Sequence, residues 1–330
     1  MAMIEPTSFS MRRLFYRVTM RFSTIRVMLL PLIAIVMFVC MFKQIFSSEI
    51  RNEEEHSGFH SISASRISKA EKVKEAFDEW HGCMVAKFET ERKDLKKLWI
   101  SFENMTRDCT AASGVSKIVL SPFENRDETK YYVFGENASD PSVVVSLGIG
   151  ADVTAELQLK DKLAKGSEFF GADPVISPNA ELFAKVGIFF PLAVSKKTGL
   201  VQSGIREDDG SYRAMNAVSI DVITFLKEMV NRTVIDHMIL DNEGPEYDIV
   251  PMIAVNKIFE DNGILVCHMN IEFHAPGPKE RHQLFEEVIA GVLSAKRFAP
   301  LYNLYWGHQR SFFINYDHPY CIEKYLTQFF

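Results

Sequence analysis

An apolar run that turns abruptly acidic is the stretch of this sequence best suited to chemistry. In MILDNEGPEYDIV, residues 238–250, three apolar residues are followed at once by Asp241, Asn242 and Glu243, and Glu246 comes after a Gly-Pro pair. Carboxylates can act as general bases or hold a divalent cation through their oxygen atoms. A turn after a strand and the first turn of a helix also favour such residues. The spacing alone is compatible with all of these roles.

Short apolar runs alternate with helical patterns from about residue 142 onward, and this alternation places the acidic stretch. The predicted strands are SVVVSLGIG, SEFFGADP, IFFPLAV, VIDHMILD, GILVCHMNIEFH, FAPLYNLYW and RSFFINY. The predicted helices are DVTAELQLKDKLAK, AELFAKVG, VSIDVITFLKEMV, PEYDIVPMIAVNKIFE and PKERHQLFEEVIAGVLSAK. The pattern indicates an α/β fold with a mostly parallel seven-stranded sheet, helices on both faces and an antiparallel pair at the end.

The carboxyl ends of the parallel strands should meet at one edge of the sheet, where such folds bind ligands. Asp241 ends the fourth predicted strand and Glu243 follows it, so both fall at that edge. Five further candidates come from the ends of the first, second and fifth strands: Gly148, Gly150, Asp173, Glu272 and His274. Strands commonly end in polar residues, but the shared edge favours one crevice lined by all of them.

Motifs along residues 140–316 resemble those of the FkbM-type methyltransferases that use S-adenosylmethionine. ILDNEGPE, residues 239–246, is similar to the family pattern K-I-D-x-E-G-x-E, with Ile239 in place of the lysine. Asp173-Pro174 resembles the Glu-Pro after the second strand, AVSKKTG resembles A-[LV]-S-x-x-x-G, and IEFH resembles I-E-x-H. In the first glycine motif, Ser146 stands where most members have an acidic residue.

The resemblance implies a Rossmann-like class I methyltransferase fold and S-adenosylmethionine as the cofactor. The residues that it assigns to cofactor binding are Ser146, Gly148, Gly150, Asp173 and Pro174. A carboxylate after the second strand can accept hydrogen bonds from ribose hydroxyls, which makes Asp173 the candidate for that contact. A hydroxyl acceptor must lose its proton to a base, and the candidates are Asp241, Glu243, Glu272 and His274. No metal site is predicted, although the same oxygen-rich group is the alternative place for a cation.

The N-terminal part of the chain predicts a membrane anchor. Residues 27–46 are apolar apart from Lys43 and Gln44 and long enough to cross a bilayer, and a cleaved signal peptide is the alternative. Arginines precede this segment and glutamates follow it, so residues 1–26 should form a basic cytosolic tail and the body should be lumenal. The short span favours the thinner membranes of the endoplasmic reticulum or Golgi, with the chain as a single-pass type II protein.

Three further segments are predicted beyond the anchor. Residues 47–67 read as a polar stem, 68–125 as a helical stem or N-terminal extension, and 126–330 as the methyltransferase-like domain. Apolar residues at helical spacing between 68 and 104 indicate one or two amphipathic helices. Their apolar face has two alternative uses, which are homo-oligomerisation through the stem and packing on the following domain.

Glycosylation sequons and cysteines agree with a lumenal body. Asn104, Asn137 and Asn231 each begin an Asn-x-Ser/Thr triplet. Outside the anchor, an even number of cysteines lies in a compartment that permits disulfides. Of the three pairings that four cysteines allow, we favour Cys83–Cys109 and Cys267–Cys321, because each pair lies in one region of the chain; Cys267 as an unpaired core residue is the alternative.

Composition and predicted location limit the classes of partner and substrate that this protein could have. The chain of 330 residues is 47% hydrophobic and carries a net charge of -6, which argues against a nucleic acid partner. Together with the resemblance, the lumenal location predicts methyl transfer to a hydroxyl, such as one on a glycan or another secretory-pathway molecule. The alternatives are a lumenal glycosyltransferase, which has the same anchor-and-stem plan, and a non-catalytic binding protein on a methyltransferase fold.

We expect Asn104, Asn137 and Asn231 to be glycosylated, because all three lie on the lumenal side of the predicted anchor. Glycosidase treatment of the protein from membranes should increase its mobility on gels, and Asn→Gln substitution at each site should remove one step of the shift. An unchanged mobility for membrane-inserted protein would contradict the lumenal assignment.

Overall fold

The computed structural model describes residues 69–206, 212–275 and 281–330. The predicted cytosolic tail (1–26), anchor (27–46) and polar stem (47–67) lie outside these residues, so their predictions stay untested. Within the described ranges, no helix is both long and apolar enough to cross a membrane.

Strands and helices alternate along the chain much as the sequence pattern predicts. The strands are β1 (Ser121–Glu124), β2 (Thr129–Tyr132), β3 (Val143–Leu147), β4 (Glu168–Ala172), β5 (Ile188–Phe190), β6 (Ala193–Ser195), β7 (Gly199–Arg206), β8 (Tyr212–Asp221), β9 (Val234–Leu240), β10 (Leu265–Phe273), β11 (Phe298–Trp306) and β12 (His308–Asn315). The main helices are α1 (69–91), α2 (Leu95–Ala111), α3 (Thr154–Lys162), α4 (Asn179–Phe183), α5 (Val222–Thr224, continued as a π-helix over Phe225–Val230), α6 (Glu246–Ala254), α7 (Ile258–Asp261), α8 (Arg281–Ala295) and α9 (Pro319–Cys321, continued to Phe329).

Seven strands form the central sheet in the order β5-β4-β3-β9-β10-β12-β11. β3 pairs in parallel with β4 and β9, and β10 pairs in parallel with β9. β12 runs antiparallel to both β10 and β11. The predicted α/β architecture with a mostly parallel sheet is therefore confirmed, and it brings the carboxyl ends of β3, β4, β9 and β10 to one edge.

Three predicted elements are wrong in detail. PEYDIVPMIAVNKIFE is not one helix, because α6 ends at Ala254 and α7 begins at Ile258. IFFPLAV is not one strand, because β5 ends before Pro191 and β6 joins a separate three-stranded sheet of order β6-β8-β7. Residues 218–221, predicted as the start of a helix, are the end of β8, which pairs with β6 and β7. The local sequence has helical periodicity, but these residues form a strand because they pair with β6 and β7.

Helices α1 and α2 pack on the main domain. Trp80 of α1 and Phe102 of α2 are fully buried in the same apolar core as β10 and α8. The Phe102 ring lies edge-on to Phe285 of α8, with 5.0 Å between centroids. The β1–β2 hairpin also crosses the predicted boundary at residue 126. The amphipathic face of the extension is thus used for intramolecular packing.

Two disulfides link neighbouring elements of the domain. Cys83 in α1 is bonded to Cys109 in α2, with 5.5 Å between Cα atoms. Cys267 in β10 is bonded to Cys321 in α9, with 5.4 Å between Cα atoms. These are the two pairings that the sequence favours. Asn104, Asn137 and Asn231 are all exposed, as glycosylation requires, and their glycosylation stays a prediction.

Phe102→Ala should lower the free energy of unfolding by about 3–5 kcal/mol, because it removes a buried ring between α2 and α8. Ile100→Ala, at a position of α2 that is 47% exposed, is the matched control and should change it by about 0.5 kcal/mol or less. Urea unfolding of the purified variants measures both. A Phe102→Ala variant as stable as the control would mean that α2 is not part of the core.

Candidate functional site

The glycine turn after β3 is held from outside by Asp173. Gly148 and Gly150 have φ angles of +86° and +60°, which permit the tight turn. Asp173, buried after β4, accepts hydrogen bonds from the backbone N–H groups of Ile149 (2.8 Å) and Gly150 (3.4 Å) through Oδ2, and from Val175 (2.7 Å) through Oδ1. The carboxylate therefore holds the turn in place. This structural role was not part of the sequence prediction, which assigned Asp173 only a contact with the ribose.

The two glycines serve different needs. A Cβ atom on Gly148 would lie 1.9 Å from the carbonyl oxygen of Asp241, so this glycine is required by the approach of β9. A Cβ atom on Gly150 would meet nothing within 4 Å. Gly150 therefore leaves open space on the outer side of the turn, where a ligand can approach the backbone.

Ser146 is fully buried beneath this turn and has a carboxylate partner from another element. Its hydroxyl donates to Oε1 of Glu156 in α3 at 3.2 Å. Burial raises the pKa of Glu156, and the charge of Lys130 opposes the rise. The strand neighbour of Ser146 on β9 is Ile239, so both unusual residues of the motifs lie side by side. The hydroxyl of Ser146 thus makes an internal contact, and Pro174 is half-buried next to Asp173. The cofactor contacts predicted for these two residues stay predictions.

The acidic stretch after β9 forms a loop whose backbone is closed by Glu246. Glu243 and Gly244 have φ angles of +60° and +133°. Glu246, the first residue of α6, is fully buried and accepts from the N–H of Gly244 (2.6 Å) and the N–H of His274 (3.1 Å). Glu246 therefore fixes the loop that carries Asp241 and Glu243 against the end of β10.

His274 lies among three carboxylates. Its Nε2 is 3.2 Å from Glu243 Oε2 and 3.5 Å from Asp241 Oδ1, and its Nδ1 is 3.1 Å from Glu246 Oε1. Burial alone would lower the pKa of His274, but hydrogen bonds with Glu243 and Glu246 outweigh it and raise the pKa to about 11. The imidazole is therefore protonated at neutral pH, when it cannot accept a proton.

Glu272 is a carboxylate of this group whose protonation changes near neutral pH. Burial raises its pKa to about 7, the charge of Asp241 adds to the rise, and the charge of Arg310 opposes it. Arg310 Nη2 lies 2.9 Å from Glu272 Oε1. Burial also raises the pKa of Asp241, against the charge of His274. A general base works best with a pKa close to the working pH, which favours Glu272 among the four predicted candidates.

Sequence reasoning missed several residues of the site. β12 brings Arg310 directly opposite Glu272 and places His308 beside His274, with 4.9 Å between ring centroids. Burial and the charge of His274 lower the pKa of His308 to about 4, so this ring is neutral. The β1–β2 hairpin contributes an ion pair of Glu128 and the buried Lys130. None of these residues lies in a motif, and only the strand register reveals them.

Two overlapping sets of side chains could hold a cation. The ligand atoms of Glu272, His274 and His308 lie within 4.8 Å of one another, and so do those of Glu128, Asp241 and Glu272. His308 Nδ1 already accepts the N–H of Ala275 at 2.9 Å, so only its Nε2 is available. The nearby cations Arg310, Lys130 and protonated His274 already balance part of the negative charge.

The mostly parallel sheet, with a glycine turn and an acidic cluster at one edge, fits a Rossmann-like methyltransferase fold. The methyltransferase FkbM domain matches residues 90–298, more than half of the chain. The chain belongs to the FkbM methyltransferase family. It is also 23% identical over 272 residues to an uncharacterized protein of Caenorhabditis elegans, covering 79% of this chain and 84% of the relative.

Asp173→Ala should both destabilise the domain and weaken S-adenosylmethionine binding. Three backbone N–H groups lose a charged acceptor, and each such bond contributes about 1.5–3 kcal/mol. Asp161→Ala, at an exposed position of α3, is the control. Thermal unfolding and calorimetric titration with the cofactor measure the two effects, and unchanged values for a folded Asp173→Ala variant would contradict its role in holding the turn.

Proposed function

We propose that this protein transfers a methyl group from S-adenosylmethionine to a hydroxyl acceptor, with Glu272 as the general base. The observation that carries the proposal is the position of Glu272, whose pKa lies near 7, next to Asp241 at the edge that also bears the glycine turn. Membership of the FkbM family supports methyl transfer as the reaction class.

The residues at the glycine turn fit the cofactor. The turn from Gly148 to Gly150, held by Asp173, would lie along the cofactor, since Gly150 leaves room for it on the outer side. Three of the roughly four lone pairs of the Asp173 carboxylate accept backbone N–H groups, and the remaining one, on Oδ1, is the candidate for a ribose hydroxyl. When bound, S-adenosylmethionine supplies a methyl group on a sulfonium, which a nucleophile attacks in line.

The chain's own contribution is to position the acceptor and remove its proton. Glu272 accepts the hydroxyl proton, so that the oxygen becomes nucleophilic as its O–H bond breaks. Arg310 at 2.9 Å keeps part of the Glu272 population ionised near pH 7. His274 holds Asp241 and Glu243 in place as a fixed cation, and these two carboxylates line the acceptor side.

The acceptor that we propose is a glycan hydroxyl, or a hydroxyl of another secretory-pathway molecule, and the compartment is the lumen of the endoplasmic reticulum or Golgi. The apolar segment 27–46 with arginines before it supports a type II anchor. The two disulfides of the body suit an oxidising compartment. The exposed sequon asparagines are compatible with the same location.

The second candidate function is non-catalytic binding on a methyltransferase fold. Ser146 and Ile239 favour it, because these adjacent buried residues replace the acidic and basic residues of the family patterns. Titration of the whole protein with S-adenosylmethionine separates the two: catalysis requires binding, whereas no binding to the folded protein favours the second function. Binding of a nucleotide sugar with manganese would instead indicate the glycosyltransferase alternative.

Glu272→Gln should leave cofactor binding intact and lower methyl transfer by about 10²–10⁴-fold, because the base is neutralised without a change of shape. The wild-type rate should rise with pH through about 7, as Glu272 loses its proton. Cells that express each variant are supplied with labelled methyl groups, and the label on released glycans is measured. Glu287→Gln, at an exposed position of α8, is the control; equal labelling by Glu272→Gln would rule out Glu272 as the base.

A further inference from the structure

Trp306 is a large aromatic side chain that the fold leaves in contact with solvent. Of the three tryptophans in the chain, Trp80 and Trp99 are buried in the core, whereas Trp306 is 70% exposed. It is the last residue of β11 and is followed by Gly307, whose φ angle of +77° turns the chain into β12. Isolated apolar residues are common on protein surfaces, so exposure alone does not indicate a function. The position of the ring relative to the candidate active site does.

Strand register places Trp306 on the same face of the sheet as the proposed base. Trp306 pairs with His308 across the β11–β12 hairpin, and Arg310 pairs with Glu272 across β12 and β10. Paired residues share a face of the sheet, and so do residues two apart on one strand. All four side chains therefore project from one face, at the edge that carries the acidic cluster.

The side chain of Arg310 connects the indole with the proposed base. Its guanidinium carbon lies 6.0 Å from the centre of the Trp306 ring, and its Nη1 donates to the Trp306 carbonyl oxygen at 3.3 Å. Its Nη2 is 2.9 Å from Glu272 Oε1. A single guanidinium group thus spans the distance between the ring and the carboxylate, so a molecule that lies on the indole is next to Glu272.

Hydrogen-bonding groups are accessible beside the ring. The His308 ring is 4.9 Å from that of His274, and His274 contacts Asp241 and Glu243. The side chains of His308, Asp241 and Glu243 are all partly exposed. The two carboxylates accept hydrogen bonds. His308 supplies a donor, because its neutral ring accepts at Nδ1 and therefore carries its proton on Nε2.

A pyranose ring matches this combination of surfaces. The C–H groups on one face of such a sugar pack on the electron-rich face of an indole. The hydroxyl groups on its rim both donate and accept hydrogen bonds, as the partly exposed side chains next to Trp306 require. One of these hydroxyls also supplies the oxygen to which a methyl group would be transferred.

Other classes of ligand fit the same surface less well. Arg310 already lies near the ring as a cation, which disfavours a cationic ligand. The acidic cluster repels the phosphate groups of a nucleic acid. A lipid chain needs a continuous apolar surface, whereas the neighbours of Trp306 on this face are charged or polar.

We propose that the indole of Trp306 is the platform on which a pyranose ring of the acceptor stacks, with a hydroxyl of the sugar directed toward Glu272. Trp306 then selects the acceptor and takes no part in the transfer of the methyl group. This inference rests on the proposed function, because it names the acceptor class of the same site. Sugar binding is nevertheless measured without methyl transfer, so the two are tested separately.

The test is binding of the purified full chain to an array of N-linked, O-linked and glycolipid oligosaccharides, without S-adenosylmethionine. We expect wild-type protein to bind a subset of these sugars, and the type of sugar in that subset shows whether the acceptor is carried by protein or by lipid. Trp306→Ala should weaken binding to the same sugars about tenfold or more. Trp306→Tyr should restore most of it, because a phenol ring also offers a flat aromatic face.

Two controls separate a local effect from misfolding. Trp306→Ala should keep the wild-type unfolding temperature, since the ring is mostly exposed. Ile100→Ala, which removes an exposed apolar side chain from α2, should bind the sugars as wild type does.

The proposal is overturned if folded wild-type protein binds no sugar on the array, if Trp306→Ala binds the same sugars equally well, or if Trp306→Tyr binds no better than Trp306→Ala. Sugar binding that requires Trp306, in a protein that transfers no methyl group to the bound sugars, would support this inference and contradict the proposed function.

Discussion

The interaction on which the candidate site depends is the contact of one buried imidazolium, that of His274, with three carboxylates. Glu246 and His274 are nearly inaccessible to water, and charges in such a place are tolerated only when they are paired. The same Glu246 carboxylate that binds the imidazole also binds the N–H of Gly244. Charge pairing and loop geometry are therefore coupled: removal of the imidazole would leave Glu246 buried without its cation and release the loop that carries Asp241 and Glu243.

This arrangement divides the roles among similar side chains. His274 is held in its charged form, His308 is held neutral by burial and by the charge of His274, and Glu272 is left with a pKa near 7. Neighbouring titratable groups with widely separated pKa values are typical of sites that perform acid–base chemistry. A second carboxylate, Asp173, has a structural task in shaping the glycine turn. The edge of the sheet thus combines a shaped turn with a proton acceptor.

Much of the fold and the position of the site could be predicted from the sequence, because both depend on local sequence patterns. The alternation of strands and helices predicted the sheet, and strand ends predicted that Asp241, Glu272 and His274 would lie at one edge. The roles within the cluster could not be predicted, since they depend on distances: His274 was a candidate base and is a cation. Arg310 and His308 come from β12 through its antiparallel register with β10, a tertiary feature with no motif. The β6-β8-β7 sheet was not predicted. Its first strand, β6, lies in the apolar run IFFPLAV, which was interpreted as one strand although Pro191 divides it into β5 and β6.

The most direct test of this account is the titration of His274 by NMR. Protein with isotope-labelled histidine is followed between about pH 6 and 9, and the His274 signal is identified by its absence from a His274→Gln variant. The account predicts that His274 stays protonated over this whole range, because its three carboxylate neighbours raise its pKa to about 11. A midpoint near the ordinary histidine value of about 6.5 would contradict it.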